Sequence, residues 1–473
     1  VRLALLALGF SWRQFAVDQI RSGNLPLWNP HLFSGAPFFG GFQSALLYPP
    51  NLLFLVLPLA KAINAVVALH IFLFGFFLYL WFSSRGLHPA ACLGAAVLGM
   101  FSGPVFLHIY AGHLPNLCAM AWAPLIFLAV DGVFERRWGR SCLVGGIAVS
   151  MQIYAGHPQY VYYTGVAASL YAALRLARSD ARLKAIAGFV LLYAVGTALG
   201  AVQILSGVDA AAESVRSVGV SYAFAASFSL PPENLITLVA PAFFGNMTNL
   251  PYWGRCYLWE MSLFVGVTGL TLALFGALRS DRPGRLTAAA MVLLLAVLAL
   301  GAHTPIHRLL YEVLPGFDKF RGASKFAFHA SLFVCMFAAM GLDRLMRFPE
   351  SARSLLHGVL PGAILLALAG LCLLFAVPHE AWTKILAAIA ATGESYLPKE
   401  VYRDPLFASS AKRYSALGLL FASAIALLLA FFLKTSIRTR NAVYLIVVLS
   451  FLEIFFFART MRPTFVPDRT GLQ

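Results

Sequence analysis

A chain of 473 residues with 60% hydrophobic and only 11% charged side chains cannot cover itself with polar surface as a soluble domain does, where roughly a quarter of residues are charged. The excess of 35 Lys and Arg over 19 Asp and Glu would raise nucleic acid as a partner of a soluble protein, but here much of the basic charge sits in short loops between apolar runs, the mark of orientation in a bilayer. Composition therefore excludes a water-soluble enzyme and disfavours a nucleic-acid partner; the expected fold is all-α, a polytopic membrane helix bundle.

The chain opens on Val1, and its first apolar run, 1–10, is too short to span and lacks a signal-peptide cleavage pattern. An earlier start with a further helix is expected to be missing, and the polar end, 463–473, is expected to be cut mid-domain. Residues 23–51 hold Gly-Asn-Leu-Pro-Leu-Trp-Asn-Pro at 23–30, Ser34-Gly35-Ala36-Pro37, and Tyr48-Pro49-Pro50-Asn51. That density of proline and glycine forbids a long helix and predicts a structured interfacial loop, able to roof a cavity. Residues 51–60 are apolar but short, an interfacial or re-entrant piece.

A hydrocarbon core of ~30 Å needs ~20 apolar residues per helix. Runs of that kind predict twelve spans, at 62–82, 88–109, 117–134, 140–155, 159–177, 185–205, 260–279, 286–303, 325–346, 355–377, 413–433 and 441–459. The fourth is the weakest. The expected organisation is a first extracytoplasmic segment (1–61), helices one to six (62–205), a long extracytoplasmic loop (206–259), helices seven to twelve (260–459) and an extracytoplasmic tail (460–473). Alternate short loops carry Arg85; Arg136, Arg137 and Arg140; Arg175, Arg178, Arg182 and Lys184; Arg279, Arg282 and Arg285; Arg344, Arg347 and Arg353; and Lys434, Arg438 and Arg440. Loops 110–116 and 156–158 carry no Lys or Arg. Short basic loops stay in the cytoplasm, so the long segments are expected outside, in a multi-pass membrane protein. Long loops are where sites usually live.

Ile109-Tyr110-Ala111-Gly112-His113 recurs 44 residues later as Ile153-Tyr154-Ala155-Gly156-His157, each copy at the outer end of a predicted helix, as a duplicated hairpin would give. Chance and the liking of Tyr and His for the interface are the alternative. The six cysteines include no C-x-x-C pair, so neither a zinc motif nor a disulfide framework is indicated. Phosphate-binding G-x-x-x-x-G-K-[ST] and G-x-G-x-x-G motifs are also missing. Asn246-Met247-Thr248 fits a glycosylation sequon, to which no weight attaches outside a eukaryotic secretory context.

The run GNLPLWNPHLFSGAPFF, followed by FQSALLYPPNLLF, resembles the start of the YfhO family of bacterial membrane proteins, as do GHPQY at 156–160, PENL at 232–235 and FDKFRGASKF at 317–326 ahead of a helix ending GLDRL. That family is similar to the GT-C glycosyltransferases. The resemblance implies a multi-helix bundle with extracytoplasmic loops and transfer of a sugar from a polyprenyl-phosphate carrier to a cell-envelope glycan acceptor. Such transferases usually place an acid in the first outer loop, expected here near the start of the chain. Arg2-Leu3 stands about there, and Asp18 is the one carboxylate in the first fifty residues. The acid either precedes the sequence, or is Asp18, or is not used; a solvated surface acid is the plainer reading of Asp18.

The chemistry needs a general base for the acceptor hydroxyl, cations or a metal to steady the departing phosphate, and aromatic faces for the sugar. Asp18, Glu233 and Glu260 are the catalytic candidates, from an outer set that also holds Asp209 and Glu213. Glu260 follows Trp259 and stands near Trp253 at a helix mouth, where burial is expected to raise its pKa; pairing with Arg255 is the alternative. Lys319, Arg321 and Lys325, at the outer start of a helix, suit a phosphate or ordinary headgroups. His113, His157, Gln159, Tyr160 and Trp253 complete the substrate-binding candidates, with interfacial hydrogen bonding the alternative for the histidines. No metal motif is expected, since His108 and His113 are five apart rather than three or four; a divalent cation remains compatible with the chemistry. Glu453, inside the last span, reads either as proton coupling in a transporter or as a hydrogen-bonded acid. The rival functions are a transporter or flippase of a lipid-linked saccharide and a non-catalytic membrane assembly partner.

Overall fold

The computed structural model describes residues 10–461 apart from 33 and 215; Arg2-Leu3 and the tail beyond 461 lie outside the described residues. The chain is mostly helical. The helices that matter are α1 (Ser11–Arg21), α2 (Leu59–Ser83), α3 (Pro89–Met100), α4 (Gly103–Ala111), α5 (Leu114–Met120), α6 (Ala123–Phe134), α7 (Trp138–Tyr154), α8 (Pro158–Leu176), α9 (Arg182–Leu199), α10 (Ala201–Ala212), α11 (Leu258–Met261), α12 (Val267–Arg279), α13 (Arg285–Ala299), α14 (Pro305–Val313), α15 (Phe326–Arg347), α16 (Ala352–Leu371), α17 (His379–Ala391), α18 (Pro405–Arg438) and α19 (Val443–Thr460). A two-residue hairpin, Trp28–Asn29 against Ala36–Pro37, is the sole named sheet among the described residues.

Every predicted span holds helix, but among the described residues eight stretches are long and apolar enough to cross a bilayer, against the twelve expected. The predicted spans without such a stretch are 140–155, 159–177, 260–279 and 286–303, the last holding α13 with only 15 residues; several other runs are broken without losing that status. The run 260–279 is interrupted between α11 and α12, where Gly266 takes φ +87° and α12 restarts with only 13 residues. The run 185–205 breaks at Gly200. The runs 88–109 and 117–134 bend ahead of Pro104 and Pro124, each in the first turn of a new helix, the position proline tolerates. In the other direction, α18 begins at Pro405, capped by the Asp404 side chain. Its 34 residues reach roughly 50 Å, well past a ~30 Å core.

Glu453 explains how the interrupted α12 is tolerated. Its buried carboxylate accepts the Val267 amide at 2.5 Å and the Thr268 amide at 3.0 Å. It thus satisfies orphan donors at a helix start inside apolar surroundings, where the helix dipole favours an anion.

Ion pairs tie the helices together at the end that carries the basic loops. Asp131 of α6, 2% exposed, accepts from Arg85, Arg175, the Trp81 indole and the Tyr171 hydroxyl. Asp343 of α15 accepts from Arg282 and Arg347 and from the His88 amide, and both arginines also reach the Gly86 carbonyl. The successive reversal of α2 to α8 carries the turns at Gly112 and Gly156 to the opposite end.

Candidate functional site

The two repeat copies make the same turn. Gly112 and Gly156 end α4 and α7 with φ of 74° and 89°, in the left-handed region that glycine enters without steric cost. His113 and His157 then stand at the start of α5 and α8, each followed within two residues by a helix-starting proline. Gly156 has a second constraint: a Cβ there would lie 2.6 Å from the Phe42 carbonyl oxygen, so the 38–45 loop packs directly on this turn. That loop is also held by Gln203, whose side chain donates to the Phe39 carbonyl at 3.1 Å.

Both turns open on one cavity of about 500 Å³, lined by Trp12, Arg13, Gln43, Gly112 to Asn116, His157, Gln159, Arg216, Phe228, Tyr257, Trp259, Glu260, Arg321 and Lys325. Glu260, on the short helix α11, is its one lining carboxylate among the described residues. Lys325 donates to both of its oxygens, at 2.7 and 2.8 Å. Burial alone would raise the Glu260 pKa; the facing Lys325 ammonium, helped by the nearby imidazoles, overrides it and holds the carboxyl at about 2. The sequence-based expectation of a raised value missed this partner, which is 65 residues away in the chain. The alternative partner, Arg255, is engaged elsewhere, with Glu394 at 2.6 Å and Glu233 at 3.3 Å. Burial lowers the pKa of His113 and pushes that of His157 down to about 3, so both imidazoles are neutral at pH 7.

Positive charge dominates the walls. Arg13 is buried, donates to the Ser44 carbonyl and lies over the Phe54 ring at 5.2 Å; among the described residues it has no acidic partner, and burial lowers its pKa to about 10. Arg321 is sandwiched by Phe224 and Phe228 at 4.7 and 4.8 Å. Arg216 lies over Phe224 at 5.3 Å, and burial together with the like charge of Arg321 depresses its pKa. Phe228, Tyr257 and Trp259 form a ladder, with centroid separations of 5.1 and 4.8 Å and the last pair nearly parallel at 6°.

Six residues singled out in the sequence therefore share this cavity: His113, His157, Gln159, Glu260, Arg321 and Lys325. Tyr160 lies beneath it, fully buried, its hydroxyl 3.2 Å from His108 Nε2. Asp18, Glu233, Lys319 and Trp253 do not line it. Asp18 accepts from Gln14 on the exposed side of α1, Lys319 donates to the Ser217 carbonyl, and Trp253 packs in an aromatic cluster with Phe244 and Trp382. Sequence reading missed Arg13 and Arg216, although the signal that flagged Arg321, a cation on the side where orientation disfavours one, applies to both. His108, His113 and Glu260 bring one donor atom each within 4.8 Å of one another. The five-residue spacing that argued against a shared site is closed by the left-handed turn at Gly112.

The arrangement can hold an anion between arginines and a lysine, stack a flat ring face on aromatics, and orient hydroxyls with a carboxylate and neutral imidazoles. No protein-family profile and no curated protein matches the chain. A solved structure, ArnT from Cupriavidus metallidurans bound to undecaprenyl phosphate, is similar over 95% of this chain and 71% of that chain, with a TM-score of 0.46 and 11% identity. A likeness of that degree establishes neither family nor activity.

Proposed function

We propose that this protein is a GT-C-like membrane glycosyltransferase of the YfhO type, moving a sugar from a polyprenyl-phosphate carrier to an extracytoplasmic cell-envelope acceptor. The observation that carries the reading is the cavity itself, where Arg13, Arg216, Arg321 and Lys325 face, among the described residues, a single carboxylate at one end of an apolar helix bundle. Such an excess of cations in a partly desolvated pocket favours a phosphate. The bilayer alongside suits a lipid-borne one, and the Phe228–Tyr257–Trp259 ladder suits a sugar ring. The basic loops at the far end orient the cavity outward.

In this mechanism the bond from the sugar's anomeric carbon to the carrier phosphate oxygen breaks, a bond from that carbon to the acceptor oxygen forms, and the acceptor's hydroxyl proton passes to the departing phosphate. Arg321, Arg216 and Arg13 steady the phosphate as charge builds on it. Glu260, held at about 2, is too acidic to be an efficient base near neutral pH, so it orients the acceptor hydroxyl and fixes Lys325. The flippase alternative needs ionisable groups along a path through the bundle, whereas Asp131, Asp343 and Glu453 are each engaged in ion pairs or as a helix cap. Transfer from a polyprenyl-phosphate sugar, assayed on purified protein, is expected to fall by about tenfold or more in Arg321→Gln, the loss of one charge-assisted hydrogen bond, and in Glu260→Gln. Wild-type rates in both variants would refute the assignment.

A further inference from the structure

We infer that His108, His113 and Glu260 form a binding site for a divalent transition-metal ion of the zinc class, with its open coordination position facing the cavity. The inference deepens the transferase reading by naming a ligand of the same cavity, but its evidence is separate. His108 Nδ1 and His113 Nδ1 lie 3.3 Å apart, a spacing that either an N–H···N hydrogen bond or a shared ion can hold. A tetrahedral ion with metal–nitrogen distances of ~2.0–2.1 Å spaces neighbouring ligand atoms by about 3.3 Å. A Glu260 oxygen falls within 4.8 Å of both nitrogens, near enough for a side-chain rotation to complete a two-histidine, one-carboxylate set.

The surroundings hold these rings as a metal site requires. The remaining nitrogen of His108, Nε2, meets the buried Tyr160 hydroxyl at 3.2 Å, an outer partner that can accept from Nε2–H and leave Nδ1 free for an ion. His113 is braced edge-on by Trp259, with centroids 5.8 Å apart at 89°. Lys325 bonds both oxygens of Glu260; a cation sharing the carboxylate takes one oxygen and leaves the other to the ammonium. His113 and Glu260 line the cavity while His108 lies behind them, so three protein ligands cover one side and the fourth position opens toward the cationic wall. Nitrogen–oxygen donor sets of this kind select zinc, cobalt or nickel over magnesium or calcium.

The test is direct binding of Co(II) and Zn(II) to the full chain in detergent after chelator treatment, followed by the visible absorption of tetrahedral cobalt and by elemental analysis. About one equivalent is expected, with affinity reduced by tenfold or more in His113→Ala and in Glu260→Gln, and unchanged in His303→Ala, an exposed histidine outside the cavity. A single cooperative melting transition of each variant in the metal-free state, at whatever midpoint, excludes misfolding as the cause. Failure to bind a stoichiometric ion, or binding that survives both ligand substitutions, overturns the inference. Retained phosphate-lipid binding in the same preparations would then leave the transferase reading standing, whereas metal binding without phosphate-lipid binding would remove that reading and keep the metal site.

Discussion

Lys325→Met is expected to destabilise the protein by roughly 3–5 kcal/mol, the range for breaking a buried ion pair from one side, and to abolish anion binding in the cavity. The side chains of Lys325 and Glu260 are 11% and 7% exposed, so the substitution strands a carboxylate with no cation of its own in a desolvated wall. The double variant Lys325→Met/Glu260→Gln should regain most of the lost stability, since both charges leave together. Unfolding of the four forms in detergent reads the coupling directly; equal stability of the single and double variants would show that the pair is solvated. The pH dependence follows from the depressed Glu260 pKa. Its contribution is complete at neutral pH and is lost only as pH falls from the ordinary value of 4.5 toward about 2. The gap between wild type and Lys325→Met should begin to narrow above pH 4.5, because burial without the ammonium raises the Glu260 pKa in the variant, and should narrow further below pH 4.5 as the wild-type contribution is lost.

Asp131→Asn should cost about as much, roughly 3–5 kcal/mol, at the other end of the molecule. One carboxylate there neutralises Arg85 and Arg175 while also accepting from Trp81 and Tyr171. The amide keeps the shape but leaves two arginines, 13% and 24% exposed, without a counter-charge. Because the cavity lies at the opposite end of α4 to α8, lipid-phosphate binding measured well below the melting temperature should be retained. Loss of binding with unchanged stability would contradict the division between a structural end and a binding end.

The positions of the helices were legible because apolar runs report burial in lipid or in the bundle whatever the detail of packing. Their interruptions were not, since the composition stays apolar through Gly200 and through the 262–266 break; what opens α12 is a cap from Glu453, supplied by a helix at the far end of the sequence. The same limit divides the site residues. The IYAGH repeat and the cations set apart from the basic loops pointed to His113, His157, Arg321 and Lys325 because those signals are local. Lys319 carried the same signal but is separated from Lys325 by Gly322 at φ +80° and turns back to Ser217. Trp253 offered an aromatic face on paper, yet the 252–256 stretch folds onto 394–396 through the Arg255–Ser395 bridge and buries that indole. Glu260 falls on the short helix α11 rather than at the start of a long span, and its partner and the direction of its pKa shift depend on a fold-level contact with Lys325.

The account stands on the cavity being a receptor for a lipid-borne phosphate. The most direct measurement compares binding of a polyprenyl phosphate and the matching uncharged polyprenol to purified protein in nanodiscs. The account predicts a preference for the phosphate of about tenfold or more, the scale of one or two charge-assisted contacts, that disappears in Arg13→Gln/Arg321→Gln. Equal affinity for the two lipids, or a phosphate preference that survives loss of both arginines, would contradict it.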